Sequence, residues 1–593
     1  MTVQLREEPD TIVLETDAYR LEVWRHQPMA RLHHAGEVHP MRLMLLAALD
    51  SDRGLDGTLA VGPPTAEERD GTCVVTLETR STIWDSKQAR LRCTDAEVAF
   101  EVTVSGAGRL AQARLLGGWY SGNPRWGGGM FHSQWPARTL FDPSPDDPKR
   151  IVQPASEPAS IGVVGGSLPG RGHWFFTPAP LLFAGTASGT SDADDAGPWT
   201  TLELRCDVAA ATFTEVRYAA FLGGFSFELA YDGETPVDGS FSTPPLVITA
   251  GVDDPYAALA RHGDVLRASG LAPIPPRTRR PEWWTRPIFC GWGEQCRQAK
   301  LSGVHPTGLS RRQHYDDWLA TLASHGVVPG TVVIDDKWQS TYGRNEPDPE
   351  RWPDLRGWID DRHAADQRVL LWFKAWDPEG LPLDACVTDA LGQPVAADPT
   401  SPAYQAILRA SLRSMLGPDG LAADGLKVDF TAQTPAGPGL RRSGAEWGLA
   451  LLHRLLELVY RFAKEANPHA LIVTHTASPL FADVTDMIRL NDLLRLDDPD
   501  PFAPAVPQMR HRARVAAAVE PGLLIDTDDW CMPSKAEWRA YLAVKPDLGV
   551  PALYYATGID HSGEAFDDDD YAAIRDAWAR WDARREAQPV QEA

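Results

Sequence analysis

The stretch GLKVDFTAQTP, residues 425–435, sets Lys427 and Asp429 two apart inside an apolar run. On a strand such residues share a face, so both point into one space while Val428 and Phe430 point the other way. An ammonium beside a carboxylate lowers its pKa and keeps it ionised, which suits a nucleophile, and Lys427 could also donate to a bound hydroxyl. A structural ion pair at a strand end would use the same two residues, so their neighbours have to decide. Acids, cations and aromatics recur at the ends of the other apolar runs: Trp292 and Glu294, Asp335 and Asp336, Lys374 and Trp376, His475, Arg489 and Asp492, then Asp526, Asp528 and Trp530. Helix capping or polar loops explain any one of these. They do not explain the recurrence. If Asp429 is a nucleophile, Asp492 is the candidate for a second carboxyl that acts as acid.

These residues need a scaffold that brings strand ends together. Eight short apolar runs qualify as strands: PIFCGW (287–292), GTVVID (330–335), RVLLWF (368–373), DGLKVDF (424–430), ALIVTH (470–475), DMIRLN (486–491), GLLIDT (522–527) and VPALYY (550–555). Amphipathic stretches such as PAYQAILRASLRSMLG and AEWGLALLHRLLELVYRFAKEA alternate with them, the pattern of a (β/α)8 TIM barrel whose site lies at the strand C-termini. The connection between the fifth and sixth runs is short, the weakest point of this count. No GxGxxG or GxxxxGK[ST] follows a strand, which disfavours an open nucleotide-binding sheet.

Ahead of the barrel, runs such as YRLEVWR, CVVTLETR and FSFELAYDG alternate with period two between Gly, Pro and Asp breaks, which predicts an antiparallel β-sandwich. The expected organisation is α/β plus all-β: a β-sandwich over residues 1–250, a helical linker over 251–284 and the barrel over 285–593. No further β domain is expected behind the last helix, DYAAIRDAWARWDARREA.

Composition narrows the function. In 593 residues, 57 Lys+Arg stand against 81 Asp+Glu, a formal charge of −24 that disfavours nucleic acid and anionic membranes as partners. Seven cysteines, an odd number without CxxC spacing, read as free buried thiols rather than disulfides or a zinc site. The N-terminus has no apolar signal region and no segment is apolar enough to span a membrane, so a cytoplasmic protein is expected. Twenty-one tryptophans add slight weight to a sugar-binding reading, since aromatic faces stack on sugar rings. A homo-oligomer is possible, and no cofactor or metal is expected.

Three of these segments resemble glycoside hydrolase clan D, the α-galactosidase group of families 27 and 36 that includes the raffinose and stachyose synthases. VVIDDKWQ, followed by RWPDLRGWI, resembles the clan's IDDGWQ region; GLKVDF resembles its K-x-D nucleophile strand; MIRLNDLL resembles its R-x-S-D-D segment. The resemblance covers roughly residues 285–560. It implies a retaining exo-α-glycosidase with Asp429 as nucleophile and Asp492 as acid/base. Asp335, Asp336 and Lys427 would hold sugar hydroxyls, and Trp292 and Trp372 would be wall residues. Lys374, His475, Arg489, Asp528 and Trp530 complete the expected substrate-binding set. The sequence departs from the clan at Lys337 for Gly, at Lys374 where many relatives carry a carboxylate, at Asn491 for Ser and at Leu493 for the second Asp. Asp497 and Asp498 are alternative acids.

The expected partner is an oligosaccharide or glycoside. Rival readings are a family 31-like α-glucosidase or α-xylosidase, though no W-x-G-D element is present, a transglycosylase, and a non-catalytic carbohydrate-binding protein on a hydrolase scaffold. The retained carboxylate pair argues against the last. Lys337, Lys374 and Arg489 raise the idea of an anionic sugar. A metal-dependent hydrolase is disfavoured because His475 stands alone in VTHTAS.

Overall fold

The structure is a computed structural model that describes residues 3–34, 40–123, 125, 127–135, 137, 139–141, 143, 150–151, 159–161, 176–187, 198–221, 223–274, 280–493 and 504–587. Up to Val252 the described residues form strands, 21 of them in one hydrogen-bonded network that is antiparallel except at a single pairing. The period-two pattern is realised directly. Tyr19–Trp24 and Thr72–Ser81 bury alternate side chains, and two long strands, Glu97–Leu115 and Gly224–Ser242, pair from Thr103↔Ser242 to Leu115↔Phe227. All seven cysteines are free and buried.

Helix Pro255–Ala268 follows, with Asp254 accepting from the Tyr256 N–H and Pro255 in its first turn. The chain then forms eight parallel strands: Ile288–Cys290, Thr331–Ile334, Arg368–Lys374, Gly425–Asp429, Leu471–Thr474, Met487–Arg489, Leu524–Asp526 and Ala552–Leu553. They lie side by side in chain order, with the eighth beside the first, and a parallel bridge between Asp526 and Val550 joins the seventh to the eighth. Every one of the eight expected runs contains a barrel strand, and all but Arg368–Lys374 are shorter than their apolar run because the terminal residues turn into loops. Strands covered on both faces read as continuous apolar runs, as TVVI and LIVT do here.

The short fifth connection has a physical solution. Between Thr474 and Met487 a single 3-10 turn, Pro479–Phe481, stands where a helix would, in a loop, SPLFADVT, that is almost wholly buried. Three helices lay unread in the sequence, Trp292–Ser302, Leu355–Ala364 and the short Lys545–Leu548. The first means that Trp292 and Glu294 open a helix rather than close a strand.

The N-terminal strands grip the barrel at the loop that follows Gly425–Asp429. Asp232 accepts from the Gly437 N–H at 3.1 Å and Glu234 from the Gly439 N–H at 3.2 Å. Glu234 also pairs with Arg442 at 2.8 Å, both side chains being buried. The Phe213 and Ala211 carbonyls accept from Leu449 and Ala450 at the start of helix Gly448–Ala466. No helix of the described residues is long and apolar enough to cross a membrane.

Candidate active site

The expected site residues gather at the C-terminal end of the barrel in two layers. Asp336, Lys374, Asp429, Asp492, Trp292 and Trp530 are partly exposed, whereas Asp335, Trp372, Lys427, His475, Arg489 and Asp528 are buried beneath or beside them. Backbone shape produces the convergence. Trp376, Phe430, Asn491 and Asp528, each just past a strand, adopt left-handed φ of 71°, 61°, 68° and 47°, a conformation costly for residues other than glycine and concentrated at functional sites. Asn tolerates it best, which suits Asn491 to turning the chain before Asp492.

Arg489 organises the centre. Its Nη2–H donates to Asp429 Oδ1 at 3.0 Å, and its Nη1–H donates to Asp492 Oδ1 at 3.2 Å and to Asp528 Oδ2 at 2.7 Å. One guanidinium therefore links three carboxylates from three strand ends. Asp429 Oδ1 also accepts from the Phe430 N–H at 2.9 Å, and Oδ2 from the Trp372 indole N–H at 3.2 Å. Burial alone would raise the Asp429 carboxyl, but Arg489 and Lys427 overcome it and hold it well below the usual range. Asp492 goes the other way: burial, with Asp528 and Asp429 adding like charge, outweighs Arg489 and pushes it up to about 7. Both side chains keep a share of solvent contact, 22% for Asp429 and 26% for Asp492.

Three expectations are corrected. The cation bonded to Asp429 is Arg489, while Lys427 bonds to Asp335 at 2.6 Å and reaches Asp429 only through space. Phe430 does not face the helices, because its left-handed backbone lies past the strand end and sets its ring 6.0 Å from that of Trp372, with the Lys374 ammonium 5.2 Å from its centre. Trp372 is not an open wall residue but a buried one that presents its N–H to Asp429. Asp497 and Asp498 lie outside the described residues.

Around this centre, Asp336 accepts from the Tyr342 hydroxyl at 2.8 Å, and burial pushes its carboxyl up to about 7. Trp292 and Trp530 meet edge to face at 5.7 Å, and Trp530 donates to Asp560 at 3.3 Å. The cations raised as a sign of an anionic ligand all have carboxylate partners: Lys337 with Glu379 at 2.8 Å, Lys374 with Asp377 at 2.8 Å, and Arg489 as above. Glu294 accepts from the backbone N–H groups of Ala556 and Thr557, tying helix Trp292–Ser302 to the eighth strand end.

Sequence reasoning missed several supports. Arg512, wholly buried, donates to the carbonyls of Leu490, Asn491 and Asp492 at 2.6–2.8 Å and holds the turn that carries Asp492. Tyr554 bonds to Asp528 at 3.1 Å, and the Cys290 thiol donates to Asp335 at 3.0 Å. Cys290 and Tyr554 lie within the apolar runs taken as strands 1 and 8. Arg512 sits inside an ordinary basic helix, and nothing local marks it. Among the described residues no group of three or more His, Cys, Asp or Glu is arranged to hold a metal ion.

No family model matches the chain, and no curated protein matches it. Solved structures do. A family GH31 sulfoquinovosidase from E. rectale, in complex with an aza-sugar inhibitor, aligns over 99% of this chain and 84% of its own at 11% identity and TM-score 0.60. The α-galactosidase TtGalA from Thermus thermophilus, in complex with stachyose, aligns over 87% of this chain and 99% of its own at 16% identity and TM-score 0.51. An uncharacterized protein from Listeria monocytogenes, solved with glucose, aligns over 100% of this chain at 11% identity and TM-score 0.51, but the chain spans only 57% of that protein's length. At these identities the likeness establishes the fold, one that glycoside hydrolases adopt.

Proposed function

We propose that the protein is a retaining exo-α-glycosidase that acts on a terminal, uncharged α-linked sugar. The observation that carries this reading is one arginine shared by two partly open carboxyls with opposite protonation preferences, Asp429 ionised and Asp492 near neutrality. In this mechanism Asp429 attacks the anomeric carbon while Asp492 gives its proton to the leaving oxygen. Water deprotonated by Asp492 then opens the covalent glycosyl-aspartate. A retaining pair should stand about 5–5.5 Å apart with a sugar bound. Asp336, and Asp335 held by Lys427, would bind hydroxyls, with Trp292 and Trp530 as aromatic wall. The assignment of residues 1–250 as a β-sandwich domain, 251–284 as linker and 285–593 as catalytic barrel belongs to the same reading.

The sugar is uncharged in this reading because Lys337, Lys374, Lys427 and Arg489 each already bond a carboxylate, leaving an anionic ligand to compete for them. The clan D resemblance favours an α-galactoside. The higher TM-score of the GH31 sulfoquinovosidase favours a second reading, a family 31-like α-glycosidase. A panel of nitrophenyl α- and β-glycosides with a sulfoquinovoside included, the anomer of the first product being read by NMR, tests all of this. The expected result is cleavage of a neutral α-glycoside with retention. Inversion, β-selectivity or preference for the sulfonated sugar overturns it. Asp429→Gly is expected to abolish turnover with an unchanged circular dichroism spectrum.

A further inference from the structure

His475 stands among the expected substrate ligands, yet it is 1% exposed and both ring nitrogens have protein partners. Its Nδ1 lies 3.3 Å from Arg489 Nη2. A guanidinium has only donors, so Nδ1 must accept and the imidazole proton must sit on Nε2. From there it bonds to the Thr431 hydroxyl. Thr431 in turn donates to the Thr177 carbonyl at 3.4 Å, and the Thr177 N–H donates to the His475 carbonyl at 3.1 Å. Thr177 belongs to the N-terminal part of the chain, so this series of bonds runs from outside the barrel to the guanidinium that holds both carboxylates.

We propose that His475 is a positioning residue rather than a sugar ligand: fixed as the Nε2–H tautomer by Thr431, it braces the Arg489 guanidinium between Asp429 and Asp492. The kinetic part rests on the glycosidase reading; the tautomer does not. The charged groups facing the ring are Arg489 on the sixth strand, Lys427 and Asp429 on the fourth, and Asp528 after the seventh. Burial and Arg489 push the imidazole down to about 3, in keeping with a ring that stays uncharged at neutral pH. Losing the brace lets Arg489 drift, and both carboxyls then lose part of the cation that stabilises their anions.

The test uses the full chain and two variants. Long-range 15N–1H spectra of the imidazoles, with the His475 signal assigned by its absence in His475→Asn, are expected to show Nε2–H and no titration between about pH 5 and 8. A proton on Nδ1, or an imidazolium in that range, overturns the proposal whether or not any glycoside is cleaved. With a cleaved substrate, His475→Leu is expected to lower kcat on the order of 10- to 100-fold with little change in KM, and to move both limbs of the pH profile upward. His475→Asn, whose amide oxygen takes the place of Nδ1, is expected to recover part of kcat. A rise in KM with kcat intact makes His475 a sugar ligand, and unmoved pH limbs make it a packing residue; either ends the proposal. Should His475→Leu not fold, the spectra and the Asn variant still decide.

Discussion

At the scale of single residues, two aspartates have different surroundings around one cation, and the proposed mechanism rests on that difference. Asp492 must be protonated to act as acid, so activity is expected to hold below about pH 7 and fall as pH rises through that value. Asp429 must be ionised, and since Arg489 and Lys427 overcome its burial, the acid limb is expected below the ordinary aspartate value of about 3.9. Initial rates across pH at saturating and limiting substrate check both limbs. Asp492→Ala is expected to slow cleavage of a poor leaving group by about 10²–10⁴. A dinitrophenyl glycoside, which leaves without a proton, is expected to lose far less at the first step. Equal losses on both substrates would move the acid role elsewhere.

At the scale of elements, the fourth barrel strand is held by close backbone approach. A Cβ on Gly425 would lie 2.1 Å from the Leu471 carbonyl oxygen and 2.9 Å from a Leu370 methyl, so only glycine allows both neighbouring strands this near. Gly425→Ala is expected to cost about 1–3 kcal/mol, read by chemical denaturation, and to reduce kcat by displacing Asp429. The loop beyond this strand depends on Glu234. Glu234→Ala leaves buried Arg442 without this partner and is expected to destabilise by about 3–5 kcal/mol, whereas Glu234→Gln, which keeps an acceptor, is expected to cost less. The barrel strands themselves were legible, since each is an apolar run flanked by turn residues. Helices Trp292–Ser302 and Leu355–Ala364 were not, because one is too polar to show a clear apolar stripe and the other carries few buried residues.

At the scale of the whole molecule, the N-terminal strands complete the barrel rather than merely precede it. Asp232, Glu234 and Thr177 supply hydrogen bonds to loops around the site, and Phe213 and Ala211 to the start of helix Gly448–Ala466. Helix Pro255–Ala268 is tied to barrel helix Ala505–Val519 through Tyr256 and His511 at 2.8 Å and through the bond from Arg267 to the Val519 carbonyl. A chain truncated to residues 285–593 is therefore expected to lack activity and to aggregate. Size-exclusion chromatography with an activity assay checks this, and a monomeric, active fragment would contradict it.

Taken alone, the sequence determined the order of the barrel strands and most of the residues that meet at one end of the barrel, because strand periodicity and strand-end chemistry are local properties of the chain. It could not say which cation serves which carboxylate. Lys427 and Asp429 share a strand and looked like partners, yet partnership depends on side-chain reach across the barrel, where Asp335 stands 2.6 Å from Lys427 and Arg489 3.0 Å from Asp429. The division between open and buried site residues was likewise decided by tertiary structure, as were the bracing of His475 and the grip of Arg512 on the turn before Asp492. Each depends on residues far apart in sequence being packed together.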